Sequence, residues 1–487
     1  MISRIRRRRI APVCVRVAVL AGVLAAAGWT TPGQRVAATS LVPRASGPTW
    51  GTAFEVPGLP AAFAAITSVS CASAGNCSAG GTFRASSGRR QAFVISQVHG
   101  RWGKAITVPG SATLNRGFAA ITSVSCGSAG NCSAGGYYAA ITHGVRGHHA
   151  FVVSQVHGRW GKAIQVPGTP ALNLDQNASI SSMSCSSAGN CSAGGYYTDG
   201  SANRKVFVVS QVRGRWGKAI EVPGTAALHT ARAAVIFSVS CGSAGNCSAG
   251  GDYSDNPDDP LPTEPFVVSQ VNGRWRKAIT VAASLGGSLV SSVSCASAGN
   301  CSAVGYDDES FRAAFVVSEV RGRWGKATGV PGLTAGDEAS ISSVSCGSAG
   351  NCSAGGSTGF GQVFVVSQVH GRWGNAIRIP PPQPSAEIVV ASLDSISCAS
   401  AGNCSAGGPY IGSGGQQVFV VSQVNGTWGT AIEVPGLAAL NVRGSAEISS
   451  LSCGSPGNCS AGGIYDNVGR QNKQRAFIVS ESQQNPG

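Results

Sequence analysis

Eight times along this chain a cysteine is followed six positions later by a second one, and no other feature restricts the possible folds as strongly. The pairs are Cys71/Cys77, Cys126/Cys132, Cys185/Cys191, Cys241/Cys247, Cys295/Cys301, Cys346/Cys352, Cys398/Cys404 and Cys453/Cys459. Successive first cysteines lie 51 to 59 residues apart, the period of one stacked supersecondary unit. A C-x5-C frame on a short hairpin sets two cysteines opposite each other on adjacent strands, inside the Cα reach of about 4.4 to 6.8 Å that a disulfide requires. Eight local disulfides are therefore expected. Each closes a loop too small to restrict the unfolded chain much, so its role is to fix strand register. A metal site built from the same frame would lack both the zinc spacing and partnering histidines.

Each period contains four strand signals. In the first, Ala65 to Cys71 leads through a turn at Ala72–Asn76 into Cys77 to Gly81, Phe93 to Val98 is apolar on both faces, and His99-Gly100 turns into Arg101 to Val108. With 68 glycines and 12 % charged residues the chain reads as all-β. The ends complement each other: Trp50 to Gly58 reads as a fourth strand with nothing before it, and the last unit stops at Phe477 to Ser480 without one. The expectation is a closed eight-bladed β-propeller, four antiparallel strands per blade, with the N-terminal strand completing the last blade and leaving no open edge. An open β-solenoid is the alternative.

Before the repeats, Arg4, Arg6, Arg7, Arg8 and Arg9 precede the apolar run Val17 to Ala27, which ends in small residues. That is the layout of a signal peptide. A membrane anchor fits less well, because Arg16 interrupts the run and the uncharged part falls short of about 18 residues. The organisation expected is residues 1–27 as signal peptide, 28–47 as linker, 48–482 as propeller and 483–487 as tail. Cys14 leaves with the leader, which makes the remaining cysteines even in number, as complete pairing outside the cell requires. Losing the leader's six arginines brings the net charge from +15 to near +9. A secreted, monomeric protein with no membrane attachment after cleavage and no nucleic-acid partner is expected.

The turn Ser96-Gln97-Val98-His99-Gly100-Arg101-Trp102 recurs in seven units, and Ser422 to Trp428 is its version nearest to the Asp-box, S-x-D-x-G-x-T-W. It resembles the Asp-box turn of sialidase-like propellers, shortened by one residue and without the aspartate. In that family the box is a structural turn, so the resemblance implies a propeller and no particular activity. The repeat layout as a whole is similar to that of secreted actinobacterial repeat proteins.

Chemistry is sparse. Asn76-Cys77-Ser78 and its seven counterparts match N-x-S, but the hairpin and the disulfide explain them, and Gly355 to Gly359 matches G-x-S-x-G without a following helix. His99, His157 and His370 fill a repeated turn position, and His143, His148, His149 and His229 fall in variable loops. The acidic residues Asp252, Asp255, Asp258 and Asp259, with Asp307, Asp308 and Glu309 in the next unit, form oxygen-rich loops that are either solvated or a calcium site; no other cofactor is implied. Turns after first and third strands are uniform, whereas connections after second and fourth strands vary, and function on a rigid β scaffold resides in such loops. Phe83, Tyr138, Tyr197, Tyr253, Tyr410 and Tyr465 recur at second-strand exits on that face. Tyr138, Tyr197, Tyr253, Asp252, Asp255, Asp307 and Asp308 are thus the binding candidates; packing between blades is the competing account of the rings. The basic pairs Arg101/Lys104, Arg159/Lys162, Arg215/Lys218, Arg274/Lys277 and Arg323/Lys326 read as edge protection or as a polyanion surface.

Two function classes remain. One is a non-catalytic binding or adhesion module for a glycan, cell-wall polymer or other surface ligand; the other is a glycan-active hydrolase or lyase with acids at the channel mouth. The first is preferred because no convergent acid, histidine and arginine set is readable.

Overall fold

The computed structural model describes residues 48–60, 62–142, 145–225, 233–254, 263–281, 287–307, 313–382, 390–412, 415–467 and 474–482. The leader 1–27, the linker 28–47 and the tail 483–487 lie outside them. The described chain is nearly all β, in repeated antiparallel four-strand sheets of propeller-like type. In the first unit Ala64–Ser73, Asn76–Arg84, Arg90–Val98 and a fourth strand split into Arg101–Trp102 and Ile106–Thr107 lie side by side in chain order.

All eight cysteine pairs are bonded, each with a Cα separation of 3.9 Å. This is closer than the expected range, because the partners face each other directly in register, as Cys71 does Cys77. The turn between them has only two residues outside the strands, Ala74 and Gly75.

The two cysteines of a pair are not equivalent. The second of each pair, Cys77, Cys132, Cys191, Cys247, Cys301, Cys352, Cys404 and Cys459, is buried, whereas the first is half-buried. A serine on the second strand of the preceding unit lies against the buried sulfur. Cys132 Sγ is 3.5 Å from Ser78 Oγ, Cys191 Sγ 3.6 Å from Ser133 Oγ, Cys352 Sγ 3.4 Å from Ser302 Oγ and Cys459 Sγ 3.3 Å from Ser405 Oγ. Cys352 and Cys459 also belong to the hydrophobic cores between units. Besides joining paired strands in register, the disulfides pack one sheet on the next, because the strands that carry them are crowded on both sides.

The second strand runs Asn-Cys-Ser-Ala-Gly-Gly and is buried along almost its whole length, with sheets on either side of it leaving room for small residues only. Its second glycine has a specific cause. A bulge between Ile66 and Ser68 pushes the Ala65 carbonyl toward Gly81, where a Cβ would lie 1.9 Å from that oxygen. The first glycine, Gly80, meets the Ile121 and Val124 side chains of the next unit, and the fifth unit carries Val304 in its place.

The fourth strand departs from expectation. Instead of running unbroken from Arg101 to Val108 it breaks at residues 103–105, where Gly103 N donates to Ser96 O at 3.0 Å and Ala105 N donates to Pro57 O at 2.8 Å, a carbonyl at the end of the preceding outer strand. Ala163 to Pro109 and Ala376 to Pro331 repeat that bond, each at 2.8 Å.

Hydrophobic cores lie between consecutive sheets. Ala92, Val94 and Val108 of the first unit pack with Ile121, Val124, Phe151 and Val153 of the second, and comparable clusters recur along the chain. First strands touch first strands, and their serines bind across the gap. Ser68 and Ser70 Oγ accept from Val124 N and Cys126 N at 2.9 and 3.0 Å, and Ser450 and Ser452 accept from Val69 N and Cys71 N at 3.0 and 2.9 Å. The N-terminal segment supplies the outer strand of the eighth sheet, Thr49–Trp50 and Phe54–Glu55 pairing antiparallel with Gln474–Ser482. No helix among the described residues is long and apolar enough to cross a membrane.

Candidate functional site

Alternation along the second strand decides which side chains its exit can offer, since neighbouring residues point to opposite faces. Tyr138, Tyr197 and Tyr253 point into the cores and are 5 %, 3 % and 3 % exposed. Tyr197 OH donates to Glu221 Oε2 at 3.0 Å, and Tyr253 OH donates to Glu264. Burial pushes the Tyr138 phenol up to about 12, and burial together with the Glu221 carboxylate raises that of Tyr197. These three rings therefore have no free face for a sugar. Packing between units, the competing account of these rings, describes all three.

Their immediate predecessors point the other way. Tyr137 and Tyr196 are half-buried, and so is Asp252 at the same place in the fourth unit. Tyr137 stacks on Phe118 at 5.4 Å with 11° between the planes, and His148 lies 5.0 Å from it. Arg90 sets its guanidinium 4.2 Å from the Phe63 ring and 5.0 Å from that of Phe118, in the next unit. Arg204 lies 5.9 Å from the Tyr196 ring and is close enough to draw the Asp252 carboxyl down, although burial dominates and sets it at about 6. Phe63, Arg90, Phe118, Tyr137, Tyr196, Arg204 and Asp252 thus trace an arc of rings and guanidiniums along the loop ends of the first four units.

Strand register positions the arc. Arg90, His148 and Arg204 each stand three residues before the buried phenylalanine of a third strand, Phe93, Phe151 or Phe207. There the strand meets the next unit: Arg90 N donates to Gly117 O at 3.3 Å, His148 N to Gln176 O at 2.7 Å, and Arg204 pairs in parallel with Ala233. His148 and His149 belong to the strand Val145–Val156 and not to a loop. Burial holds both imidazoles below their ordinary range.

Farther round the same loop ends, the sixth, seventh and eighth units line an open pocket of about 480 Å³. Glu338, Asp394 and Glu447 line it with Val390, Tyr410 and Ile411. Asp394 stands where six of the other units have Ser or Thr, such as Thr67 and Thr122, and the fourth has Phe237. Water reaches its carboxylate, yet protein fills most of the surrounding space, and this desolvation, with Glu447 nearby, raises it to about 6 although Ser392 Oγ donates to it at 2.9 Å. Sequence reading missed this cluster, whose members lie more than 50 residues apart and whose only trace was a carboxylate at a hydroxyl position.

Of the remaining expected residues, Asp307 is buried, while Asp255, Asp308, His143 and His229 lie outside the described residues. The buried cysteines, Cys132, Cys191, Cys352, Cys404 and Cys459 among them, are scaffold and contribute nothing to the loop-end surface. The proposed calcium loops lie mostly outside the described residues too, and among those residues no group of three or more His, Cys, Asp or Glu could hold a metal ion. His99, His157 and His370 are exposed turn residues with φ of 48°, 48° and 49°. Arg101, Arg159, Arg215, Arg274 and Arg323 are exposed on outer strands.

No family model matches the chain, and no curated protein matches it. Among solved structures it is similar to a polysaccharide lyase, an ulvan lyase, at 9 % identity over 88 % of this chain and 95 % of that one, with a TM-score of 0.44. A Hadza microbial sialidase shares 10 % identity over 70 % and 74 %, TM-score 0.38. The fucose-specific lectin from Aleuria aurantia shares 12 % over 64 % and 95 %, TM-score 0.33. Similarity at this level bears on neither ligand nor activity.

Proposed function

We propose that this chain is an exported bacterial repeat protein that closes into an eight-bladed propeller and binds a glycan or cell-wall polymer on its variable-loop face, as a monomeric, non-catalytic binding or adhesion module. Closure is supported by the serine-to-amide bonds that join first strands of consecutive units and recur between the eighth and the first. Residues 1–27 serve as leader, 28–47 as linker and 483–487 as tail. Eight disulfides suit the oxidising compartment outside the cell.

The observation that carries binding is the half-buried arc of Phe118, Tyr137 and Tyr196. Rings held in place by stacking and by register offer apolar faces to the C–H faces of sugars at little further entropic cost. The second reading, a glycan-active hydrolase or lyase, is favoured by the carboxylates that gather around Asp394, whose own carboxyl desolvation raises to about 6, toward the range in which a general acid works. A glycan-array screen with reducing-end assays on each hit separates the two. Binding without new reducing ends, weakened more than tenfold by Tyr137→Ala with Tyr196→Ala, supports the module. Reducing ends that vanish in Asp394→Asn establish the enzyme instead.

A further inference from the structure

We infer that the glycan held on the aromatic arc is an acidic one, its carboxylate or sulfate groups engaged by Arg204 and Arg90. The inference rests on the reading of the arc as a glycan surface. Aromatic faces alone would serve a neutral sugar; the two guanidiniums would not be needed for it.

Arg204 is placed with little freedom. Its backbone is fixed by the parallel pairing with Ala233, and its guanidinium leans on Tyr196. Its Nε is buried and has no hydrogen-bond partner, a donor that folding has removed from water without replacing the bond. Asp252 does not fill that role, since no ion pair within 4 Å joins the two among the described residues and its own carboxyl is pushed toward the neutral form. Arg90 likewise has no carboxylate at ion-pair distance among the described residues, and its charge rests on the faces of Phe63 and Phe118. An arginine fork matches a carboxylate or a sulfate through two parallel N–H···O bonds, and a ring beside it leaves the fork edge open for that contact. The third strands repeat the pattern at one position, Arg90, His148 and Arg204 in consecutive units, so that successive acidic residues of one polymer chain could be met in turn. The sequence has Thr263 at this position in the fourth unit and Arg312 in the fifth, whereas the sixth, seventh and eighth have Gly361, Gln416 and Gln474, so no basic residue occupies it in the last three units.

The test uses the full exported chain and four probes: oligogalacturonides, their methyl esters, dextran sulfate and dextran. Comparing an acid with its ester removes the charge and keeps the sugar. The expected result is binding of oligogalacturonides, dextran sulfate or both at least tenfold tighter than the uncharged counterpart, with the difference erased by Arg204→Gln and mostly lost in Arg204→Lys, which keeps the charge but not the fork. Arg90→Gln should reduce it less. Which of the two polyanions wins identifies carboxylate or sulfate. Outer-strand replacements Arg101→Gln, Arg159→Gln and Arg215→Gln together should leave binding within twofold. Equal affinity for acid and ester, still lost on Tyr137→Ala with Tyr196→Ala, overturns the acidic preference and leaves the glycan reading standing. If no probe binds and a broad glycan array gives no hit, the glycan reading itself fails. Binding of every polyanion that disappears only in the outer-strand variant assigns the charge recognition to the basic rim and overturns the inference. The acid-to-ester comparison requires no substitution, so it holds even if an arginine variant folds poorly.

Discussion

The two ends of each sheet use their polar groups in opposite ways. At the hairpin end one set of bonds repeats, the first in every unit and the second in the first seven: Asn76 Nδ2 donates to Ser73 Oγ at 3.1 Å, and His99 N donates to Asn76 Oδ1 at 3.3 Å, as Asn131 Nδ2 does to Ser128 Oγ at 3.0 Å and His157 N to Asn131 Oδ1 at 3.2 Å in the next unit. At the loop end one second-strand position holds Thr82, Tyr137, Tyr196, Asp252, Tyr306, Ser357, Pro409 and Ile464 in turn. The backbone there is almost the same in every unit, so geometry does not dictate the residue. A uniform end reports what the fold needs, and a varied end is where recognition can differ without cost to the scaffold.

The largest effect should come from removing a piece of scaffold that the repeat supplies only once. Deleting residues 49–58 removes the strand paired with Gln474–Ser482, the contact of Tyr465 OH with Glu55 at 2.9 Å and the ion pair of Glu55 with Arg475. The melting temperature should fall by about 10 °C or more. Deleting residues 483–487 should leave it unchanged. Equal melting temperatures for the two truncations, measured by calorimetry, would break the closed-ring reading.

Next in size is a contrast within one dipeptide. Gly81→Ala sets a Cβ against the Ala65 carbonyl at 1.9 Å and should cost about 3 kcal/mol or more, as overpacking against backbone does. Gly80→Ala meets the Ile121 and Val124 methyl groups, at 2.8 and 3.0 Å, which can yield, and should cost about 1 kcal/mol. Denaturant unfolding measures both. A larger loss for Gly80→Ala would mean that the bulge carbonyl is free to move.

The scaffold was legible in the sequence because its causes are local and repeated: small residues where sheets crowd, a two-residue turn with glycine, and cysteines placed opposite each other. The candidate site was legible only as a face. Which of two adjacent second-strand residues points outward follows from alternation along that strand and from which side packs on the next unit, a relation the sequence does not print, so Tyr138 and Tyr197 were read where Tyr137 and Tyr196 point outward. Asp394, Glu447 and Glu338 come together only through the packing of three units, a relation that no local pattern encodes.

That one-residue displacement gives a sharper test of the loop end. Tyr137→Ala and Tyr196→Ala should weaken glycan binding about tenfold each while moving the melting temperature by about 2 °C at most, because both rings are half-buried. Tyr197→Phe removes the bond to Glu221 and should do the reverse, costing about 1 kcal/mol of stability with binding unchanged. If Tyr197→Phe weakens binding and Tyr137→Ala does not, the outward parity is wrong.

The smallest effect concerns two units that break the uniformity of the scaffold. Gln97, Gln155, Gln211, Gln270, Gln368 and Gln423 occupy one third-strand position, and the fifth and eighth units have Glu319 and Glu481 there. The glutamine both accepts and donates: Gln155 Nε2 donates to Ser96 Oγ at 3.0 Å and to Gly158 O at 3.2 Å. An ionised glutamate can only accept, and Glu319 takes bonds from Ser269 Oγ at 2.9 Å and Ser248 Oγ at 3.1 Å while 3 % exposed. Burial raises its carboxyl above the ordinary range, more than those two hydroxyls lower it, and the same balance holds for Glu481. A carboxyl that is a weaker acid folded than unfolded favours the folded state when protonated. That contribution is complete below the unfolded value and is lost as pH rises through the folded one. Glu319→Gln, which restores the repeat's amide, should therefore raise the melting temperature by about 1 to 3 °C at pH 7.5 and by nothing measurable at pH 4. Because the two carboxylates sit in well-separated units, combining it with Glu481→Gln should add the effects. A melting temperature that falls at pH 7.5 would show that the ionised carboxylate is fully satisfied by its two serines, and that these two units are adapted to the charge.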